Sequence, residues 1–181
     1  MIGFCDLRGF TGTSAHASPE RVTAMLNEWF DAIAQQVDRT GGEILKFIGD
    51  AALVIWPVED DPARACHAAV DAAQRLAESL PSHLRGGFAL HRGEVAYGNI
   101  GAARRLDFSV IGSAVNVASR IEGLCGTLGV PWLVSDAVAE PLGLPLTDLG
   151  AHTLKGLSQP LRVWGPPRVR ADHDEERAPV P

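Results

Sequence analysis

Hydrophobic residues recur along this chain at two different spacings. Helical spacing after a start signal or a turn predicts three helices, over residues 19–40, 62–80 and 113–128. Runs rich in β-forming residues predict strands at 1–7, 43–48, 51–56, 87–100 and 106–111, with shorter strands near 131 and 161. Because Gly49 and Asp50 alone separate two of these runs, they predict a tight hairpin turn.

The order of these elements is strand, helix, hairpin, helix, strand, which is typical of an α+β fold. It predicts a ferredoxin-like split βαβ core with a C-terminal extension, in which helices pack on one face of a mainly antiparallel sheet. Residues 1–165 are expected to form this one domain. The remaining stretch, 166–181, contains prolines and acidic residues and has no apolar period, so we expect a disordered tail.

Composition excludes several classes of protein. The chain has 181 residues, of which 46% are apolar and 21% charged, as in a globular domain rather than a collagen, a coiled coil or a disordered protein. Its longest apolar run, 51–58, is too short to span a membrane and is broken by Pro57, and its start lacks the layout of a signal peptide. We therefore expect a cytoplasmic protein without a membrane segment.

Charge and cysteine content narrow the choice of ligand. The net charge of −6 argues against nonspecific nucleic-acid binding, which usually needs a basic surface. Cys5, Cys66 and Cys125 are far apart and have no metal-ligand or redox spacing, so we expect reduced core residues. A polyanionic ligand would need its charge offset locally.

Two aspartates are expected to meet at one edge of the sheet. A right-handed strand, helix, strand unit leaves a gap between its two parallel strands, here 1–7 and 43–48. The second strand of the hairpin, 51–56, can fill this gap, and the end of the first strand then meets the hairpin turn. This brings Asp6 and Asp50 to about one strand spacing, about 4.8 Å, from each other. Such a pair can hold divalent ions such as Mg²⁺ in a two-metal site. Alternatively, Asp50 is only a turn residue and Asp6 only caps its strand.

Other polar residues could bind phosphate or belong to ordinary surface. Asn116 and Arg120 are four positions apart, about 40° around the third helix, and share a polar face that either binds phosphate or is only solvated. Lys155, in a late loop, has the same two interpretations. Lys46 lies in an apolar strand, roughly 13 Å along the chain from Asp50, so it needs a different partner, such as a base edge or a carboxylate across an interface.

Four segments resemble the signature motifs of the class III nucleotide cyclases, the catalytic domains that make cyclic AMP or cyclic GMP. Residues 3–11 (GFCDLRGFT) and 45–50 (LKFIGD) are similar to the two metal motifs of the family. Residues 106–112 (LDFSVIG) with 115–122 (VNVASRIE) resemble its third signature, and 154–156 (LKG) its late lysine loop. Because the motifs occur together and in the right order, the resemblance favours the metal interpretation of the aspartates.

The resemblance also implies which residues act in the reaction. Asp6 and Asp50 would hold two Mg²⁺ or Mn²⁺ ions. Asn116 and Arg120 would orient the ribose and stabilise the pentavalent transition state. The sequence carries the matching residue type at all four positions.

The remaining motif residues would contact the nucleotide. Lys155 and Arg104 would contact the β and γ phosphates. Lys46 and Ser109 match the positions that read the purine, and Lys46 favours adenine because guanylate cyclases typically carry an acidic residue there. Ser109 departs from the Asp or Thr that many members have, but it keeps a hydroxyl.

By the same resemblance, the chain is predicted to be an adenylate cyclase. The ribose 3′-hydroxyl of ATP would attack the α phosphate in line and expel pyrophosphate, so no protein nucleophile is required. In the family, two chains form a head-to-tail pair with sites at the seam, and each site combines the aspartates of one chain with the remaining residues of the other. Since all these roles are present in this one chain, the prediction is an active homodimer.

Three alternatives remain at this point. A guanylate cyclase would use GTP instead of ATP. A catalytically silent nucleotide-binding homologue usually lacks a metal aspartate or the transition-state arginine, and this sequence has both. A diguanylate cyclase shares the core, but the Gly41-Gly42-Glu43 segment precedes its strand instead of forming the hairpin turn and lacks the second acidic residue of that motif.

Overall fold

Within residues 1–102 and 105–167, which the computed structural model describes, the chain forms nine strands and five helices. In chain order these are β1 (Ile2–Leu7), α1 (Phe10–Ser14), α2 (Pro19–Arg39), β2 (Glu43–Ile48), β3 (Ala51–Ile55), α3 (Pro62–Ser79), β4 (Gly86–His91), β5 (Ala96–Ala102), β6 (Arg105–Ile111), α4 (Ser113–Leu128), β7 (Trp132–Ser135), α5 (Asp136–Leu142), β8 (Thr147–His152) and β9 (Leu161–Gly165).

Local sequence sets where the long helices begin. α2 starts at Pro19, after Ser18, whose side chain accepts a hydrogen bond from the backbone N–H of Arg21. α3 starts in the same way after Asp61, whose carboxylate accepts a hydrogen bond from the backbone N–H of Arg64. All three predicted helices are confirmed, and their ends differ from the prediction by one residue at most.

Seven strands form the main sheet, in the order β2-β3-β1-β4-β7-β9-β8. Neighbouring strands are antiparallel except β4 and β7, which run parallel. β3 lies between β2 and β1 and is antiparallel to both, as the split βαβ arrangement predicts. The predicted fold class, an α+β protein with a mainly antiparallel sheet, is therefore confirmed.

Helices cover both faces of this sheet. α2, α3 and α5 pack on one face, around the buried indoles of Trp29 and Trp56. α4 crosses the other face over β1, β4 and β7, with Ile121 fully buried beneath it. The prediction of helices on one face thus holds for α2, α3 and α5 but not for α4. The physical reason is that the central strands are apolar on both sides, as Ala89 and Leu133 show on the face that α4 covers.

The single strand predicted over 87–100 is wrong, because the chain forms two strands there. β4 belongs to the main sheet, whereas β5 pairs with β6 in a separate two-stranded arm. Residues 92–95, which begin with a polar Arg-Gly-Glu stretch, leave the sheet between them. The short elements α1, α5 and β8 were not predicted, and Pro141 inside α5 obscures the helical pattern of that helix.

The other predicted strands are present in the structure. No helix in the described ranges is both long and apolar enough to cross a membrane. Most of the predicted tail, from residue 168 onward, lies outside the described residues.

Candidate active site

Asp6 and Asp50 meet at one end of the main sheet. β1 runs antiparallel to β3 with Cys5 opposite Ala52, and Asp50 occupies the turn just before β3. The two carboxyl groups approach closely enough to share a hydrogen bond. The structure therefore brings these aspartates together, as the strand order led us to expect.

The aspartates line an open cavity of about 430 Å³. Its walls come from the end of β1, the hairpin turn, the short α1 and one side of α4. Asp6 and Asp50 are half-buried here, and Arg8 and Glu122 add one positive and one further negative side chain. The described lining residues thus include three carboxylates and one guanidinium, which together carry an excess of negative charge when all four groups are ionised.

Burial and crowding disfavour the ionised form of Asp6. Desolvation, a hydrogen bond with Asp50 and the charge of Asp50 raise the pKa of Asp6 from 3.8 to about 6. A hydrogen bond can join two carboxyl groups only while one of them is protonated. Over the described part of the chain, no protein donor reaches the buried Oδ1 atom of Asp6. This oxygen therefore lacks a compensating partner once both aspartates are ionised.

A divalent cation fits this pair of carboxylates. Hard ions such as Mg²⁺ bind one or two carboxylates and take their remaining ligands from water and phosphate. Across residues 1–102 and 105–167, no group of three or more His, Cys, Asp and Glu side chains is placed to hold an ion together. Among the described acidic side chains, Asp6 and Asp50 are therefore the pair that would hold the ion, and the Oδ1 atom of Asp6 is free of hydrogen-bond donors and can bind it.

The turn that carries Asp50 is anchored by α2. The indole N–H of Trp29, a residue with no solvent exposure, donates a hydrogen bond of 2.9 Å to the backbone oxygen of Asp50. Leaving such a buried donor unpaired is costly, so the bond fixes the position of the turn. In the sequence, Trp29 is only one member of an apolar helical stripe, and nothing there indicates this role.

A second group of predicted site residues lies on α4 and in the loop between β8 and β9. Arg120 is half-buried, and its guanidinium packs against Gly156, where a Cβ would lie 3.4 Å from the Nη1 atom. Lys155 is exposed in the same loop, and Asn116 is exposed on α4 about one turn before Arg120. The structure thus brings Arg120 to the lysine loop, a proximity that sequence spacing does not predict.

The predicted purine-reading residues lie on strands that contact each other. Lys46 is half-buried on β2, opposite Leu53 of β3. Ser109 is 8% exposed on β6, opposite Gly98 of β5. β6 contacts β2, so the two positions belong to one region of the molecule. Arg104 lies outside the described residues.

The aspartates and Arg120 face different sides of α4. Glu122 borders the aspartate pocket, whereas Arg120, two positions earlier, points about 160° away around the helix axis. Asn116 is about 40° from Arg120 and shares its side. In the part of the chain that the structure describes, the lining of the aspartate pocket therefore includes neither Asn116 nor Arg120.

Sequence reasoning missed Glu122 and Arg8. Glu122 is 9% exposed, and burial together with the charge of Asp6 raises its pKa to about 7, while the charge of Arg8 opposes this shift. The apolar period of α4 could have revealed Glu122, which follows Ala118 by four positions and precedes Cys125 by three and so lies on the inward stripe of the helix. An acidic residue at such a position is unusual.

The model of one protein family, the adenylate and guanylate cyclase catalytic domain, matches residues 1–162. The chain is 37% identical over 157 residues to "Adenylate cyclase" of Anabaena cylindrica, covering 80% of this chain and 31% of that protein. It is 35% identical over 175 residues to "Adenylate cyclase 1" of Rhizobium meliloti, covering 89% and 26% respectively. The chain thus spans about a third or less of the length of these relatives.

Two solved structures share the fold over nearly their whole length. The adenylyl cyclase CyaB from P. aeruginosa is 26% identical, with a TM-score of 0.80 and coverage of 94% of both chains. The guanylyl cyclase Cya2 is 29% identical, with a TM-score of 0.71 and coverage of 96% of this chain and 93% of that one. The structural likeness therefore extends to proteins named for both nucleotides.

Proposed function

Because this chain belongs to the adenylate and guanylate cyclase catalytic domain family, we propose that it is an adenylate cyclase that uses Mg²⁺ or Mn²⁺. It would convert ATP to 3′,5′-cyclic AMP and pyrophosphate. The observation that carries this proposal is the contact between Asp6 and Asp50 in an open pocket. The names of the curated relatives support ATP as the substrate.

The role of the aspartates is to bind cations. Two divalent ions held by Asp6 and Asp50 would lower the pKa of the ribose 3′-hydroxyl and neutralise charge on the leaving pyrophosphate. Trp29 keeps Asp50 in position through the backbone of the turn. Because the pKa of Asp6 is raised to about 6, protonation of this carboxyl competes with metal binding near that pH.

Arg120 and its neighbours would bind the triphosphate. The planar guanidinium of Arg120 suits the negative charge that grows around the α phosphate in the transition state, and the amide of Asn116 would orient the ribose. Lys155 and Arg104 would bind the β and γ phosphates. Arg120 packs against the loop that carries Lys155. This packing supports a shared ligand, because the side chains of Arg120 and Lys155 can then reach one triphosphate.

Base selectivity is assigned to Lys46 and Ser109. A lysine ammonium only donates hydrogen bonds, which suits the N1 acceptor of adenine better than the N1–H donor of guanine. The hydroxyl of Ser109 can donate or accept, so it is compatible with either base. A guanylate cyclase is therefore the second candidate, and the likeness to Cya2 favours keeping it.

A homodimer would complete the site. Because Arg120 lies on a different side of α4 from Asp6 and Asp50, a second copy can supply what one chain lacks. Phe47 and Ile48, each 48% exposed next to the hairpin turn, provide apolar surface for such an interface. Each of two equivalent seams would then combine the aspartates of one chain with Arg120 of the other.

The substrate is tested by incubating the purified protein with Mn²⁺ and either ATP or GTP and separating the products. We expect cyclic AMP and pyrophosphate from ATP. Cyclic GMP as the main product would overturn the adenine assignment, and no cyclic product from either nucleotide would contradict the proposal as a whole. Asp50→Ala should abolish the activity without unfolding the domain, whereas Asp31→Ala, at an exposed position on α2, should leave it unchanged.

The shared site is tested by mixing two inactive variants, Asp50→Ala and Arg120→Ala. If subunits exchange at random, about half of the dimers are mixed, and each mixed dimer has one intact seam of two. The expected activity is therefore about one quarter of the wild-type value. Inactivity of the mixture, despite demonstrated subunit exchange, would count against sites shared between chains.

A further inference from the structure

One buried carboxylate in the aspartate pocket has no role in the mechanism above. Glu122 lies on the inward side of α4 and is 9% exposed. Its burial and the nearby charges of Asp6 and Asp50 both disfavour the ionised form of this carboxyl group. A carboxylate this deeply buried is costly to ionise unless it is compensated, so its placement needs a physical reason.

The sheet makes room for Glu122 directly beside Asp6. Gly87 is the cross-strand partner of Asp6 in the pairing of β1 with β4. A Cβ at Gly87 would lie only 2.2 Å from the Oε1 atom of Glu122. The carboxylate therefore occupies the space that any other side chain at position 87 would fill. Glycine at this position is what allows Glu122 to reach the side of Asp6.

The charges that face Glu122 leave the pocket short of positive charge. Asp6 and Asp50 raise the pKa of Glu122 beyond the effect of its burial, and Arg8 lowers it. Arg8 is held in place because its Nη2 atom donates a hydrogen bond of 2.5 Å to the backbone oxygen of Val130. Among the described residues that line the pocket, one guanidinium cannot offset three carboxylates, and a divalent cation would supply the missing charge.

Glu122 is not placed as a direct metal ligand. Across the described ranges, no three acidic, His or Cys side chains are grouped closely enough to hold one ion. A carboxylate beside a metal site but outside its ligand set commonly acts through metal-bound water.

We propose that Glu122 is a positioning residue of this pocket, whose carboxylate orients water on a cation held by Asp6 and Asp50 and strengthens the binding of that cation. This role rests on the proposed metal function of the two aspartates. It is distinct from that function because Glu122 need not touch the nucleotide or the ion.

The test measures Mn²⁺ binding to the full chain by electron paramagnetic resonance, with Mn²⁺ alone and no nucleotide. Glu122→Gln keeps the shape of the side chain and removes its charge, so the Kd for Mn²⁺ should rise about 10-fold. Glu122→Asp should retain part of the affinity. Glu140→Gln, at an exposed position on α5, should bind as the wild type does. The Tm of metal-free Glu122→Gln should equal or exceed that of the wild type, while the increase in Tm caused by Mn²⁺ should shrink.

Gly87→Ala provides a second test that does not change any charge. The added methyl group would displace the Glu122 carboxylate, so Mn²⁺ binding should weaken. In a Glu122→Ala background the 2.2 Å contact is gone and the Cβ of Cys125, 3.2 Å away, is the nearest remaining neighbour, so Gly87→Ala should cause little further loss of Mn²⁺ binding. An equal loss in both backgrounds would overturn the proposal. If Gly87→Ala does not fold, the comparison of Glu122→Gln with Glu122→Asp decides the question.

The outcomes separate this proposal from the one on which it rests. If the wild type binds Mn²⁺ and Asp50→Asn does not, but Glu122→Gln binds like the wild type, only the role of Glu122 is refuted. If the wild type itself binds no Mn²⁺, the metal function of the aspartates is refuted, and the role of Glu122 with it.

Discussion

Replacing Asp50 with Asn should make the metal-free protein more stable, although it removes a residue of the proposed active site. In the wild type at neutral pH, the ionised carboxylates of Asp6 and Asp50 lie against each other. Asn cannot ionise, so the repulsion disappears while the size of the side chain is kept. Stability and function should therefore change in opposite directions at this position.

The pKa of Asp6 gives the size of the effect. A shift from 3.8 to about 6 corresponds to about 3 kcal/mol at 1.36 kcal/mol per pKa unit. Desolvation is the largest cause and persists in the variant, and Asp6 is only half-buried, so solvent screens the remainder. We expect Asp50→Asn to gain about 1 kcal/mol, which corresponds to a rise in Tm of about 2–4 °C for a chain of this size.

The sign of the pH dependence follows from the raised pKa of Asp6. The folded protein binds this proton more tightly than the unfolded chain, so Asp6 contributes stability below about pH 4 that is lost as the pH rises through about 6. Thermal melts in EDTA between pH 4 and pH 8 should show this decline in the wild type and a smaller one in Asp50→Asn. The control variant Asp31→Asn, on the exposed side of α2, should show the same decline in Tm with pH as the wild type.

Added Mn²⁺ should make the wild type more stable than Asp50→Asn, the reverse of their order without metal. The wild type should gain stability because the ion binds the folded state, and Asp50→Asn should gain little. A metal-free Asp50→Asn variant that melts below the wild type at pH 7.5, with the same pH dependence, would refute the reasoning from carboxylate repulsion.

Three further changes test individual contacts. Trp29→Phe removes the hydrogen bond to the Asp50 turn and should cost about 1–3 kcal/mol in the free energy of unfolding, with weaker Mn²⁺ binding, as measured by urea unfolding and metal titration. Gly86→Ala places a Cβ 2.2 Å from the Trp29 ring and should lower the free energy of unfolding by about 1–3 kcal/mol. The control, Gly123→Ala, lies in open space on α4 and should not destabilise the protein. Equal urea unfolding midpoints for the two variants would contradict this packing. Arg120→Ala should lower kcat by about 100-fold or more with an unchanged far-UV spectrum, and a change confined to KM would argue against a transition-state role.

Local patterns in the sequence predict much of the fold. The bounds of α4 follow from its apolar period, and the starts of α2 and α3 follow from Ser18 and Asp61 as capping residues. The break between β4 and β5 was not predicted, because the β-forming residues on each side read as one run. Only the pairing of β5 with β6 shows that these segments belong to different sheets.

The candidate site also has features that could be predicted from the sequence and features that could not. The convergence of Asp6 and Asp50 could be predicted because strand order alone places the end of β1 beside the hairpin turn. The packing of Arg120 on the lysine loop could not, since it joins segments more than thirty residues apart through a turn of the backbone at Gly156.

The helices, the hairpin, the motif residues and the edge of the sheet where two carboxylates meet can all be predicted from the sequence, because each depends on short-range periodicity or on strand connectivity. The faces of the sheet that helices cover, the groups that share a pocket and the effect of their charges on one another depend on how distant segments pack. Glu122 illustrates the difference: its place on the inward stripe can be read from the sequence, but its position over Gly87 beside Asp6 depends on how α4 crosses the sheet. Contacts of this kind are set by the packing of distant segments, and no local pattern encodes them.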